Sequence, residues 1–360
     1  MLKKIDRYIL GKFIGTFFLV LMIIMSIAVV FDVAENLEDF IKNEVPLKAI
    51  VFEFYFNFVL YYGNLFSSMI VFISTILFTS QMANRTEIVA ILTGGVSFNR
   101  FLVPYFIGAT MVATGSYLLN HYLIPTTNEI RSDFEAKHFN TTTRSSFQNI
   151  HRQVRPGELV FIENFNFQRR TGYRFTYERF ENQEMRCKIA ADFIRYDSIE
   201  GFWTLDNYTI RYIDDIGVER LERGRKLDTV MPFKPADLTP GIYDVETIPT
   251  PELRELIKAE RIRGAETITI FLINHYSRTS WPAATYVLVL IAVALSSRKR
   301  RGGLGLNIAI GLIICVVYIF FMQISVTFAT NGNLAPWLAV WLPNIGFGIL
   351  ALYLYRIAPK

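Results

Sequence analysis

The sequence predicts an α-helical integral membrane protein with six transmembrane helices, three before and three after an inserted antiparallel β-module of sandwich or jelly-roll-like type. Three observations predict it. Hydrophobic residues make up 52% of the 360 residues and charged residues only 19%, with the two kinds segregated along the chain. Asp, Glu, Lys and Arg are missing from Phe13–Phe31, Phe54–Asn84, Phe101–Asn128, Thr279–Ser297 and Gly302–Tyr355. Between the third and fourth of these runs, short aromatic and β-branched segments alternate with turn residues.

A spanning helix needs roughly 20 apolar residues, so each of the first four runs holds one span. The fifth run is 54 residues long and is broken by "ATNGNLAPW" (Ala329–Trp337), whose Asn, Gly and Pro mark a turn. It therefore holds two spans. The first run follows a basic stretch (Lys3, Lys4, Arg7, Lys12), as a signal peptide would. It is too long for a signal core and no small-residue cleavage site follows, so it is expected to stay as a span.

Short-loop charges set the expected orientation. One side collects Lys3, Lys4, Arg7, Lys12, Arg85, Arg100, Arg298, Lys299, Arg300, Arg301, Arg356 and Lys360, twelve cations. The short loops of the other side offer only Lys42 and Lys48, beside Asp32, Glu35, Glu38, Asp39 and Glu44. Both termini are thus expected in the cytoplasm and residues 125–268 outside. That outer stretch has 22 Lys/Arg against 24 Asp/Glu, so the chain's net charge of +5 arises in the membrane block and is no nucleic-acid footprint.

The expected organisation is 1–128 for spans one to three, with a short loop helix at about 84–97; 129–268 for the β-domain with flanking helices; and 269–360 for spans four to six. Strands are expected at 158–167, 173–180, 188–197, 202–213 and 218–224, with turns at Arg170–Gly172 and Glu200–Gly201. "MPFKPADLTPG" reads as an exit linker. "TTNEIRSDFEAKHF" extends span three. "TPELRELIKAERIRG" reads as a helix over 250–264, with Thr250 as its N-cap and Gly264 as its stop. Cys187 and Cys315 fall in different regions and form no disulfide framework, and Cys and His are too sparse for a metal site.

No catalytic signature is present. There is no GxxxxGK[ST], HExxH or GxSxG, and His121, His138, His151 and His275 are scattered. The charge-free runs also lack the ionisable residues of proton pathways. The chain therefore reads as a membrane machine that needs an outside energy source. Attention falls on "NRTEIVAILTGGVSFNR" (84–100). Thr86 can cap a short helix, Glu87 suits its first turn, Ile88, Ile91 and Leu92 share one face, and Gly94 or Gly95 supplies the stop. Such a helix is either a headgroup-zone anchor or a lever held by a cytoplasmic partner.

"RTEIVAILTGGVSFNRFLVP" resembles the segment after span two in the LptF/LptG permeases, the membrane subunits of the ABC exporter that extracts lipopolysaccharide from the bacterial inner membrane. The likeness extends over nearly the whole chain: "IDRYILGKF" before span one, "AADFIRYDSIEGFWTLDNYTI" in the β-jelly-roll, "YSRTSWPAATYVLVLIAVALSSRKRRGG" at span four, and "NGNLAPWLAVWLPNIGFG" at span six. "WLAVWLPN" leans towards LptG. The resemblance implies that this chain binds no cofactor of its own, while an LptB-like ATPase dimer uses ATP and Mg. It further implies a coupling helix docked into that ATPase through Thr86, Glu87, Ile88, Ile91 and Leu92. Removing such a charge-paired acid would cost about 2–5 kcal/mol.

The implied substrate walls are Val20–Phe31 and Leu312–Phe328, with Phe31, Lys42, Tyr318, Phe321 and Met322 as candidates. Relatives can carry basic residues after span one, where this chain has Asp32, Glu35, Glu38 and Asp39. That departure leaves Lys42 as the nearby cation. Phe161, Phe165, Phe175 and Phe193 are candidates to line a β-groove leading to LptC/LptA-like periplasmic modules, or are simply core. The other implied partners are a companion LptF/LptG-type permease and lipopolysaccharide. A membrane scaffold whose β-domain binds protein and transports nothing is the alternative reading.

Overall fold

The structure, a computed structural model, describes residues 3–139, 146–166, 169–181, 184–198, 200–214, 218–238, 245–263, 268–298, 303–332 and 334–358. Two compact units share the chain. Met1–Phe134, Glu246–Arg254 and Thr269–Lys360 make the helical unit, and Glu135–Val245 with Glu255–Ile268 make the β unit.

In the helical unit, α1 spans Lys4–Lys42 without a proline. At 1.5 Å per residue it is ~58 Å long, about twice the hydrocarbon thickness, so its polar ends must project beyond the apolar zone. The second apolar run is not one straight rod. Helices α2 (Leu47–Leu65) and α3 (Ser67–Asn84) meet at 66°. No proline causes the break; it follows Gly63-Asn64, where Asn64 Nδ2 donates to Asn120 Oδ1 at 2.7 Å, and precedes Ser67-Ser68. The short helix α4 covers Glu87–Thr93. Helix α5 (Phe98–His138) includes a π-helical turn at Leu119–Leu123 and extends span three as a helix to His138. After the β unit come α8 (Ile268–Ser296), α9 (Gly303–Asn331) and α10 (Pro336–Ile357). Among the described residues, five helices are long and apolar enough to cross a membrane, or six with α2–α3 counted as one span. Proline at the first position of α10 ends the expected turn; Asn333 within it, and Lys299–Gly302 of the basic loop, lie outside the described residues.

Packing inside this unit relies on close approach and hydrogen bonds, since lipid offers no hydrophobic drive between helices. A Cβ on Gly108 would lie 2.6 Å from the Phe13 ring, and one on Gly311 would lie 2.5 Å from Ile76 Cδ1, so α5 meets α1 and α9 meets α3 nearly backbone to side chain. Asn344 is the hub of a buried network: its amide donates to Ser280 Oγ at 2.8 Å and to Ser280 O at 3.0 Å, while its Oδ1 accepts from Tyr318 at 2.8 Å. Ser280 Oγ donates in turn to Val340 O at 2.9 Å, three residues before Pro343, whose missing N–H breaks the α10 ladder.

The β unit holds one antiparallel sheet in the order β1 to β6: Ser146–Arg155, Glu158–Asn166, Thr171–Glu181, Glu184–Tyr196, Trp203–Ile213 and Glu219–Thr229. Five strands fall where alternation placed them, and β1 is additional. The first turn sits at Arg169–Arg170, not Arg170–Gly172: Arg170 takes the left-handed φ of +51°, and Thr171 already pairs in β3. Gly201 turns at φ +76° between β4 and β5, as expected.

One polar row (Glu163, Arg174, Asp192 and Asn207) interrupts the ladders of β2 to β5, with Arg174 and Asn207 both at left-handed φ. The core-facing residues change parity across it: Val160 and Ile162 give way to Phe165, and Leu205 to Ile210. The sheet is thereby creased and keeps a single face on its core. Beyond β6, Met231, Phe233 and Leu238, the last from the short helix α6 (Pro235–Leu238), close over that core, and Trp203 Nε1 donates to Phe233 O at 2.9 Å. This is the inserted jelly-roll-like domain. Helix α7 (Thr250–Arg263) starts at Thr250 itself, which is no free cap because its hydroxyl is engaged by Arg278 Nη1 at 2.8 Å and His121 Nδ1 at 3.0 Å. Gly264, its expected stop, lies outside the described residues, as do the linker residues 239–241.

Candidate functional site

The loop helix α4 stops as the sequence requires. Gly95 takes φ +86°, Val96 N donates back to Ile91 O at 3.4 Å and Gly95 N to Leu92 O at 3.1 Å, the paired bonds of a Schellman end. Gly94 stays right-handed at φ −72°, so Gly95 is the stop. Its start differs from expectation. Thr86 occupies the cap position but at φ +61°, which rotates its hydroxyl away from the helix; Oγ1 donates to Arg85 O at 2.6 Å. A β-branched residue in this region is strained, because Cβ crowds the backbone. Thr86 is therefore a forced corner between α3 and α4 and not a hydrogen-bonding cap.

The helix is seated by its apolar side. Ile88 is 1% exposed and packs in one cluster with Ile9 and Phe13 of α1, Met82 and Ala83 of α3, Phe98 and Phe101 of α5, and Ala358 after α10. Ile91 and Leu92 lean on the same cluster, partly buried. Val89, Ala90, Thr93 and Thr86 face out, with Val89 52% exposed. Both ends of the described chain thus meet the α4 loop at one end of the helical unit.

Charge is organised around that seat. Glu87 Oε2 accepts from the Tyr8 hydroxyl at 2.9 Å, and Glu87 Oε1 lies 4.0 Å from Arg85 Nη1. Lys12 stands over the Tyr8 ring, 4.9 Å from its centroid. Asp6, 3% exposed, accepts from Lys3 N at 2.7 Å and forms an ion pair with Arg100 in the first turn of α5. In the sequence Asp6 and Tyr8 stand out only as members of "IDRYILGKF", and Arg100 only as one of the twelve orientation cations. Nothing in a linear pattern brings Tyr8 to a partner 79 residues away.

The other candidates are dispersed. Phe31 is 73% exposed on α1, and Lys42 is exposed at its end. Asp32, in the acidic stretch, is held internally by Tyr55 OH at 2.9 Å and Asn36 Nδ2 at 3.1 Å. Tyr318 is buried with its hydroxyl on Asn344; Phe321 and Met322 are partly buried against the same cluster. In the β unit, Phe165 and Phe175 lie in the packed core, while Phe161 and Phe193 are half-buried beside His151 and Tyr173. The nearby Cys187 thiol is pushed up by burial, against the opposing pull of Arg179.

Long apolar helices, two of them (α1 and α9) largely uncovered along their apolar stretches, and a six-stranded antiparallel sheet inserted between α5 and α8 define a multi-pass integral membrane protein. The family described as "Lipopolysaccharide export system permease LptF/LptG" matches residues 7–357, and the chain belongs to it. No match is found among curated proteins. The chain is thus a permease of the lipopolysaccharide export system, resident in the inner membrane.

Proposed function

We propose that this chain is one of two permease subunits that draw lipopolysaccharide out of the inner membrane, using ATP hydrolysed by a separate LptB-like ATPase dimer that docks on α4. The observation that carries this reading is α4 itself. It is a short helix pinned by Ile88, with its acid at the first turn and Val89, Ala90 and Thr93 turned outward. Glu87 offers one carboxylate oxygen to Tyr8 and leaves the other open to a partner's cation beyond the distant Arg85. In this reading Ile88, Ile91 and Leu92 hold the helix to the membrane block, and the outward residues together with Thr86 and Glu87 meet the ATPase.

The twelve-to-two charge asymmetry supports cytoplasmic termini and a periplasmic β unit. The uncovered faces of α1 around Phe31 and of α9 around Phe320 suit acyl chains and a companion permease. Phe321 and Met322 are partly packed at the edge of the α9 face, and Tyr318 positions α9 from within. In the β unit, β6 is the sheet edge whose residues are mostly exposed, which favours strand addition by an LptC/LptA-like module. Lipid would then pass over the face that carries the half-buried Phe161 and Phe193, while Phe165 and Phe175 are taken up by the packed core.

The test is co-purification of the tagged chain with the ATPase, before and after Glu87→Lys. Wild type should retain the ATPase and the variant should lose most of it, since a reversed charge at a buried contact costs a factor of ~10² or more. A wild-type chain that brings down no ATPase would favour the scaffold reading instead.

A further inference from the structure

We propose that Tyr8 is a positioning residue that ties Glu87 to α1, and that this tie, with the Asp6–Arg100 pair, makes α1 the arm that carries movement of α4 into the membrane. The inference rests on the docking reading above and goes beyond it, because docking alone does not say which helix moves. Besides the Gly95 turn into α5, to which the Asp6–Arg100 pair also fixes α1, two routes lead away from α4. Along the chain it joins α3 through Arg85 and the strained Thr86. Across space it joins α1, through the Tyr8–Glu87 hydrogen bond and the packing of Ile88 on Ile9 and Phe13.

The two helices differ in freedom. Helix α3 is built into both apolar clusters: Val71, Phe78 and Met82 belong to one, Phe72 and Ile76 to the other. It cannot shift without breaking contacts on two sides, and close-packed interiors resist such shifts. Of the two clusters helix α1 joins only the first. Its far end is tied to α2 by Asp32 and Phe40, but the face between is open, with Phe18 54%, Met22 69% and Phe31 73% exposed. It runs unbroken from Lys4 to Lys42, so a tilt imposed at Tyr8 is delivered to Phe31 and beyond.

The attachments act at two points one turn or less apart. Asp6 is nearly enclosed, and its pairing with Arg100 fixes the foot of α1 to the first turn of α5. Tyr8, 44% exposed, holds the one carboxylate that a docked cation would pull. The Asp6 pair is therefore the pivot and Tyr8 the link. Because Tyr8 takes a single oxygen of Glu87, link and docked partner can share the carboxylate.

The experiment uses the chain assembled with its ATPase and companion permease, purified with bound lipopolysaccharide. Three quantities are read: ATPase retained, ATP turnover, and lipopolysaccharide released per ATP. For Tyr8→Phe we expect retention and turnover as in wild type, and release per ATP reduced about five-fold, the equilibrium weight of one ordinary hydrogen bond. Asp6→Arg should lose release more severely, and adding Arg100→Asp should recover it. Wild-type release per ATP in Tyr8→Phe overturns the link. A charge-swapped pair that assembles but does not recover release overturns the pivot. Failure of the wild-type chain to retain any ATPase would instead sink the docking reading on which both depend.

Discussion

The β unit closes its core, whereas the helical unit leaves two of its longest helices open. Around Trp203 the sheet, the segment after β6 and α6 enclose one core: Trp203 and Leu205 are fully buried and Phe175 is 1% exposed. On α9, Ile313 and Phe320 are 63% and 66% exposed, as exposed as Met22 on α1. The difference follows from the solvent each unit is built for. In water an exposed apolar face costs free energy, so a sheet must find a lid. Against lipid the same face costs nothing, and interhelical order comes from close approach and buried hydrogen bonds. An open face on α1 or α9 is thus no defect of folding, and is free to meet lipid or a second subunit.

The largest effect expected from breaking this comparison lies at Trp203. Trp203→Ala removes the ring against which Phe165, Tyr196 and Phe233 pack, and leaves Phe233 O without its donor. A loss of about 3–5 kcal/mol is expected for a fully buried aromatic. Limited proteolysis of the detergent-solubilised chain should then cut first within residues 146–238, with the helical unit left intact. Even digestion of both units would show that the β unit does not hold its core by itself.

What the sequence made legible follows the same divide. Strands β2 to β5 are readable because alternating aromatic and β-branched residues report a half-buried pleat directly, whereas β6 is mostly exposed and carries no aromatic residue. Strand β1, "SFQNIHRQVR", is not legible because Phe147, Ile150 and Val154 fall three and four residues apart, without the period of two. The polar crease through Glu163, Arg174, Asp192 and Asn207 inverts parity in several strands at once, and only pairing reveals it. In the helical unit, hydropathy found every apolar run but is blind to direction, so the 66° break at Phe66 was invisible. At the α4 loop, the glycine stop and the placement of the acid were legible as local chemistry. The inward turn of Ile88, the corner at Thr86 and the Tyr8–Glu87 bond were not, because they are set by helices distant in sequence.

A middle-sized effect is expected at Asn344. Asn344→Leu keeps the volume but strips Tyr318 and Ser280 of their shared partner, unlinking α8, α9 and α10. Hydrogen bonds between spans are worth about 1–2 kcal/mol at most, because the unfolded chain in lipid also finds partners. The melting temperature in detergent should drop by a few degrees. Tyr318→Phe should give a smaller drop and add little on top of Asn344→Leu, since both remove one network. Full additivity of the two would mean that Tyr318 stabilises α9 by some other contact.

The smallest effect on stability, and the sharpest on the comparison, belongs to the open face of α9. Val316 and Phe320 lie one helical turn apart and are 63% and 66% exposed. Val316→Ser with Phe320→Ser deletes apolar surface that touches little within this chain. The isolated chain should melt within about 0.5 kcal/mol of wild type, the usual range for exposed positions. If the face is a contact for a companion permease, the pair should nevertheless come apart more readily on size-exclusion chromatography. If it faces only lipid, neither stability nor assembly will change. A marked loss of stability in the isolated chain would contradict both, because it would mean that α9 is held by contacts the open face is not seen to make.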